Sequence, residues 1–383
     1  MQIVLGNSSV AGYPEGGGVW SWFLQYPLAF KAAGHDILWL ELLRSSKNRD
    51  QDARTIAAFY DRVRQHGLEA NSVVLLFDRD LDFQPLDDAE VFGLDQHRLH
   101  CSIREADLLL NFACALRQPL LSMFRKKALL DGDPGHLQIS ALDVNLDIQG
   151  HDTFLTVGGR INAADSRIPK LGQEWHTFEQ LLYLPRWPSA APADRSRPFT
   201  SITQWTWEQL LYKGKMYSVS KRDAYLRYIR LPGIARCPLE LAANIGMSDP
   251  AGDRPILLAN GWQLVEPALV ASSPELYQDY IHCSRGEFMC PKPIHVDLKT
   301  GWFSDRSIAY LASGRPVVAE ETGFSERIPA GIGLIAFHDI ETAAAAIVEI
   351  DSNYAKHHRA AREIAEACFD WRQTIETILS ACT

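Results

Sequence analysis

The stretch Gly301–Gly323, "GWFSDRSIAYLASGRPVVAEETG", decides how the second half of the chain is read. Its end, "PVVAE" (Pro316–Glu320), is a β-branched run of the kind that fills a strand buried on both faces of a parallel sheet. Before it, Ile308, Leu311 and Ala312 fall at helical spacing, and Gly314 supplies a stop. A helix that runs directly into a buried strand is half of a βαβ unit. The opening of that helix is unusual, with Ser304, Asp305, Arg306 and Ser307 in immediate succession. A helix N-terminus has unpaired N–H groups and about half a positive charge. Two hydroxyls and a guanidinium fork placed there suit an anion, and a diphosphate is a natural occupant. The plainer alternative is a Ser304 cap with Asp305 and Arg306 in solvent.

The same alternation runs outward in both directions. "QIVLG" predicts a first strand, followed by the loop "NSSVAGYPEGGG", which ends in Gly16, Gly17 and Gly18. An aromatic amphipathic helix comes next, kinked near Pro27 and stopped at Gly34, and then the strand "DILWLEL". "SVVLLF", "ADLLLNFA" and "KALLDGD" continue the series, with "PLLSMFR" helix-like between the last two. Residues 1–185 therefore predict a doubly wound α/β domain. Residues 186–198, "RWPSAAPADRSRP", hold three prolines and three alanines among polar residues and predict a linker. The pattern resumes over residues 199–365 with "FTSITQW", "LELAANI", "QLVEP", "GEFMCP" and "GLIAF" as further strands. Residues 366–383 form a last helix with no strand after it. Two such domains bind ligands at the carboxyl ends of their strands, across a shared cleft.

Composition narrows the function classes. The chain has 383 residues, 46% hydrophobic and 22% charged, which is ordinary for a soluble globular protein of two domains. A net charge of −9 without any Lys/Arg-rich run argues against a nucleic-acid binder, which carries a basic stripe. The seven cysteines are odd in number and form no C-x-x-C pair, so a reduced, cytoplasmic chain is expected. The N-terminus has no signal-peptide pattern, and no apolar run approaches the roughly 18 residues of a membrane span. His97, His100 and Cys101 are read as a polar loop rather than a metal site, and no metal cofactor is expected.

Two more motifs stand in the second half. "SRGEF" (Ser284–Phe288) surrounds a strand start, and "YLASGRPVVAE" (Tyr310–Glu320) has the form A-x-G-x-P-V-V-A. Together with the glycine loop, "DGDPG" (Asp131–Gly135) and "FSDRS", these resemble GT-B glycosyltransferases, and in particular a group of uncharacterised bacterial members. The resemblance covers nearly the whole chain. It implies two Rossmann-like domains facing a central cleft, the first on the acceptor side and the second binding a nucleoside-diphosphate sugar. It also implies that the last helix crosses back to the first domain. The activity implied is metal-independent transfer of a hexosyl-type sugar to a hydroxyl or other nucleophile of an acceptor. Ala309 stands where retaining members carry a second glutamate, so the stereochemical outcome stays open.

The resemblance and the residues together give a candidate site. Ser304, Asp305, Arg306 and Ser307 would face the donor diphosphate, with Arg285 assisting from a facing loop. Gly17 and Gly18 belong to the glycine loop, and Asn244 ends a strand at the cleft. Glu287 would hold hydroxyls of the transferred sugar. Phe288, Trp262 or Trp302 are candidates to stack on a base, though aromatic residues at such places more often fill the core. Trp205 and Trp207 are expected in an exposed loop. If transfer is inverting, a cleft carboxylate removes the acceptor's proton. Asp133 and Glu15 are the candidates, with Asp131 orienting a neighbour. Two other readings share the scaffold: a nucleotide-sugar epimerase or hydrolase, and a non-catalytic binding protein, since fold does not fix function.

Overall fold

The structure is a computed structural model and describes residues 1–246 and 248–383. Leucine, valine and isoleucine runs form the strands, and most of those strands are buried on both faces, as parallel packing under helices requires. The first sheet comprises β1 (Gln2–Asn7), β2 (Asp36–Arg44), β3 (Ser72–Phe77), β4 (Ala89–Phe92), β5 (Leu108–Phe112), β6 (Lys127–Asp131), β7 (Thr153–Thr156) and β8 (Trp175–Thr177). Its order is β4-β3-β2-β1-β5-β6-β7-β8, parallel throughout except for the antiparallel edge pair β3–β4. The second sheet comprises β9 (Phe199–Gln204), then, after a separate hairpin of β10 (Gln209–Tyr212) and β11 (Lys215–Ser218), β12 (Leu239–Asn244), β13 (Gln263–Val265), β14 (Gly286–Met289), β15 (Val317–Glu320) and β16 (Leu334–Phe337). Its order is β13-β12-β9-β14-β15-β16, all parallel.

Both sheets wind outward in two directions from their first strand. The winding reverses between β1 and β5 in one sheet and between β9 and β14 in the other. At such switch points the loops leaving the strand ends diverge and open a crevice.

The helices of the first half are α1 (Gly17–Ala32), α2 (Arg49–Gln65), α3 (Gln96–Glu105) and α4 (His136–Asp143). Those of the second are α5 (Lys221–Arg227), α6 (Leu231–Ala235), α7 (Asp253–Ala259), α8 (Pro267–Val270), α9 (Pro274–Cys283), α10 (Pro293–Leu298) and α11 (Asp305–Ala312), followed by α12 (Ile340–Ser352), α13 (Tyr354–Cys368) and α14 (Trp371–Ala381). Residues 188–198 contain no helix or strand. Among the described residues, no helix is long and apolar enough to cross a membrane.

One apolar cluster joins the two halves. An aromatic block packs on the first sheet, with Phe23 4.6 Å from Trp39 and Trp39 5.1 Å from Phe59 between ring centroids. The cluster continues through Tyr277 and Ile281 of α9 and Ile308 and Leu311 of α11 to Trp371 and Ile375 of α14. Helix α14 rests against α1 and β7, and Trp371 meets Tyr183 at 5.5 Å.

Several local expectations are corrected. "PLLSMFR" makes only a 3-10 turn at Leu120–Met123. His97, His100 and Cys101 lie on α3, whose Leu99 and Ile103 turn inward to the core, rather than in a loop. Pro27 sits within α1, which continues through it to Ala32. Trp205 is buried, and its indole N–H donates to Asp253 at 2.7 Å; Trp207 alone of that pair is exposed.

Candidate active site

A cavity of about 860 Å³ lies between the sheets, at the carboxyl ends of the strands. Four helix starts reach it, those of α1, α4, α8 and α11; the first and last differ most. Helix α1 begins after Gly16 with no capping side chain. Gly17 N–H donates to Ala271 O at 2.8 Å, so the first turn meets the backbone of the second half. A Cβ on Gly17 would stand 2.3 Å from Ser273 O, and one on Gly18 would stand 3.2 Å from the Tyr277 ring. Glycine is required at 17 by this approach to backbone, whereas at 18 a Cβ would only crowd the Tyr277 ring.

Helix α11 starts differently. Ser304 caps it, its hydroxyl accepting Arg306 N–H at 3.2 Å. The Arg306 side chain folds back toward the sheet, its Nε donating to Glu287 Oε1 at 2.5 Å and its Nη1 to Ile202 O at 2.6 Å. Arg306 Nη2 and Glu287 Oε2 are buried with no partner among the described residues. Burial opposes the Arg306 charge, but Glu287 beside it more than offsets this and raises the guanidinium pKa. Burial pushes the neighbouring Asp305 carboxyl up, with Arg306 opposing.

The opposite wall is built on the turn after β6. Asp131 is fully buried; its Oδ1 accepts Asp133 N–H at 2.9 Å, and its Oδ2 accepts Gln138 Nε2 and Thr156 Oγ1, each at 2.7 Å. Burial pushes Asp131 up to about 6 against these bonds. Gly135 takes a φ of +89°, which favours glycine, and its N–H donates to Gln138 Oε1 at 2.6 Å. This bracing fixes the turn that presents Asp133 and His136 to the cavity.

Three groups from the second half converge on those two side chains. Lys292, at the cap of α10, pairs with Asp133 Oδ2, and His295 Nε2 lies 3.2 Å from Asp133 Oδ1. Glu208, just before β10, lies 2.8 Å from His136 Nε2. His136 Nδ1 is 3.0 Å from Asp133 Oδ2. Burial works against an Asp133 carboxylate, yet Lys292, His136 and His295 outweigh it and hold its pKa well below the usual range. For His136, burial and Lys292 favour the neutral ring, but Asp133 and Glu208 prevail and raise its pKa. Burial pushes His295 down to about 4 despite Asp133, and its ring stacks on Trp302 at 4.5 Å. Lys221 donates to Cys290 O at 2.5 Å, and burial, with Arg306 and Lys292 nearby, lowers its pKa to about 7.

Of the residues singled out in the sequence, Glu15, Gly16, Gly17, Gly18, Asp131, Asp133, Asn244, Asp305 and Arg306 line the cavity. The others do not. Arg285 is held elsewhere: its Nη2 and Nε donate to Asp351 Oδ1 at 2.8 and 3.1 Å, and its guanidinium lies 3.5 Å from the centroid of the Tyr354 ring. It cannot assist a leaving group in the cavity. Glu287 is wholly buried under Arg306, so it holds that side chain rather than sugar hydroxyls. The Ser304 hydroxyl is engaged as the helix cap, and Ser307 is buried on the inner side of α11. Trp262 and Phe288 belong to the core, where Phe288 stacks on Phe337 at 5.3 Å.

His136, Lys292, His295, Lys221 and Glu208 were missed. His136 follows "DGDPG" directly, and its Asp133 partner three residues earlier was the available signal. Nothing local marks the other four.

Solved structures share this architecture along nearly their whole length. An alpha-glucosyltransferase in complex with UDP superimposes with a TM-score of 0.59 at 10% identity, covering 99% of each chain. Anabaena Alr3699/HepE in complex with UDP gives 0.58 at 16% identity, covering 99% of this chain and 100% of that one. Sucrose-phosphate synthase from Thermosynechococcus elongatus gives 0.57 at 12% identity, covering 99% and 98%. These are GT-B glycosyltransferases, and the present chain has their fold. No protein-family model matches the chain, and no curated protein matches it by sequence.

Proposed function

We propose that the chain is a glycosyltransferase that takes a nucleoside-diphosphate sugar and transfers its glycosyl group to an acceptor hydroxyl. The observation that carries this reading is the two-sided cavity, with Arg306 at a helix start on one wall and His136 on Asp133 on the other. Neighbours of the same fold in complex with UDP support a uridine nucleotide as the first donor to test.

In this reading the diphosphate lies against the first turn of α11, where Arg306 Nη2 has a hydrogen to give. Asn244 and Gln204, at the ends of β12 and β9, face the nucleoside. Breaking the anomeric C–O bond leaves negative charge on the departing phosphate, and Arg306 and the helix start stabilise it where it develops. No metal ion is assigned a role. On the other wall the acceptor oxygen bonds to the anomeric carbon while its proton passes to His136 Nε2. Asp133 orients the ring through Nδ1 and stabilises the imidazolium. Asp133 itself is assigned no proton, because a carboxylate stabilised by three nitrogen groups is a weak base. Glu208 stands where the acceptor hydroxyl would stand, and the acceptor displaces it.

The test is calorimetry with UDP, GDP and TDP, then assay of nucleotide release from the matching sugar donors with an acceptor panel. His136→Gln is expected to lower kcat by about 10²–10⁴-fold and to leave UDP affinity within about twofold. Failure of every nucleotide to bind would end this reading. An epimerised sugar formed without acceptor would make the protein an epimerase.

A further inference from the structure

Asp305 opens α11 and lines the cavity beside Arg306. The hydrogen bonds that reach its carboxyl come from the main chain, at Asp305 and Arg306. A carboxylate has about four lone-pair positions and no hydrogen to give. Turned to a diphosphate, it repels and offers no bond. Arg306 Nη2, buried and without a partner among the described residues, is the group that suits the phosphate. Turned to hydroxyls, a carboxylate accepts from neighbouring pairs of them.

The surroundings of Asp305 lead to the acceptor side. Helix α11 packs on α1, and there the Asp305 charge adds to burial in raising the pKa of the Tyr26 hydroxyl. Tyr26 meets Trp22 edge-on at 5.9 Å between ring centroids. Trp22 lines the cavity, and a Cβ on Gly132 would stand 3.6 Å from its Cζ2. Gly132 belongs to the turn that carries Asp133 and His136, and all three line the cavity too. Asp305, Trp22 and the His136 turn are thus linked along one lining. A group held among them lies between a diphosphate at α11 and an acceptor oxygen at His136. Trp22 gives that group an aromatic ring, which suits the C–H face of a pyranose.

We infer that Asp305 determines donor specificity: its carboxylate holds hydroxyls of the transferred sugar, which packs against Trp22, and that sugar is neutral rather than a uronic acid. The inference rests on the glycosyl-transfer reading. A second carboxylate brought in with the sugar would meet Asp305, while Arg306 is already paired with Glu287 and Lys292 with Asp133.

The experiment is calorimetry of UDP, UDP-glucose and UDP-glucuronate with the full chain, unaltered and carrying Asp305→Asn or Trp22→Leu. Asp305→Asn is expected to lower the ratio of UDP-glucose to UDP affinity by about tenfold or more, as for lost hydrogen bonds to a charged group. UDP itself should bind as well or better, since a like charge is gone. Trp22→Leu should lower the same ratio by a smaller factor. UDP-glucuronate should bind the unaltered protein about tenfold more weakly than UDP-glucose, and Asp305→Asn should narrow that gap. If GDP or TDP is the nucleotide bound, the same comparison is made with its glucose conjugate. An aspartate that only complements the helix dipole gives another pattern. Its Asn variant melts lower and keeps the ratio within about twofold, and that result overturns the inference. Equal binding of UDP-glucuronate and UDP-glucose overturns it as well. The two readings fail separately: nucleotide binding with an unmoved ratio keeps glycosyl transfer and discards this role of Asp305, whereas failure of UDP, GDP and TDP alike ends both.

Discussion

The helices α1 and α11 bring the same electrostatic feature to one cavity and are made in different ways. The start of α1 has no polar cap and no charge of its own; its glycines let it lie directly on the Ala271–Ser273 backbone. The start of α11 is capped by Ser304 and carries Arg306, pinned by the buried Glu287 with one nitrogen left over. One start is shaped to meet the other half of the protein, the other to hold charge. A helix N-terminus in a cleft is therefore not evidence of a phosphate site until its N–H groups and side chains are accounted for.

Arg306→Ala should separate the two starts most sharply. It strands Glu287 as an uncompensated buried carboxylate, and losing one partner of such a pair costs about 3–5 kcal/mol. Denaturant unfolding should register this loss, and Arg306→Met combined with Glu287→Gln should recover most of it. In the folded fraction of Arg306→Ala, UDP affinity should fall by roughly 1.5–3 kcal/mol, as for a lost hydrogen bond to a charged group. Unchanged affinity would mean that α11 is not the donor end.

Gly17→Ala comes next. The added Cβ meets a backbone carbonyl that has no rotamer to move, so the halves must part at α1. Overpacking of this kind costs about 1–3 kcal/mol, and small-angle scattering should show a larger radius. An unchanged radius and melting temperature would remove the contrast drawn here. Ser304→Ala should cost about 1 kcal/mol as a lost cap and leave UDP affinity nearly as it was; a loss matching that of Arg306→Ala would return the hydroxyl to the diphosphate.

The smallest expected effect is in pH dependence. A protonated His136 cannot accept a proton, and its pKa is raised, so the acid limb of kcat/KM should lie above an ordinary histidine's. Glu208→Gln removes one of the charges that raise it and should move that limb to lower pH. Lys292→Met removes a charge that lowers it and should move the limb up. A limb unmoved by either substitution would exclude His136 as the titrating group.

Much of the fold was legible because parallel strands buried on both faces leave unbroken apolar runs, as in "SVVLLF" and "PVVAE". Strands β4 and β8 and the hairpin β10–β11 were not, being three or four residues long and partly exposed. Arg306, singled out from its local setting, lines the cavity. The buried charge that pins it, Glu287, lies nineteen residues away on another element and was assigned to the sugar instead. Arg285 was misplaced because its partner Asp351 is sixty-six residues distant. Lys292 and His295 reach Asp133 only through the packing of one half on the other, which no spacing within either half encodes.

That convergence has a consequence for motion. Asp133 belongs to one half and two of its three nitrogen partners to the other, as does the carboxylate on the far side of His136. Parting the halves by a few ångströms strips Lys292 and His295 from Asp133 and Glu208 from His136 in one stroke. The proton affinity of the imidazole is thus set by how the two halves pack, and any parting of them would also be a titration.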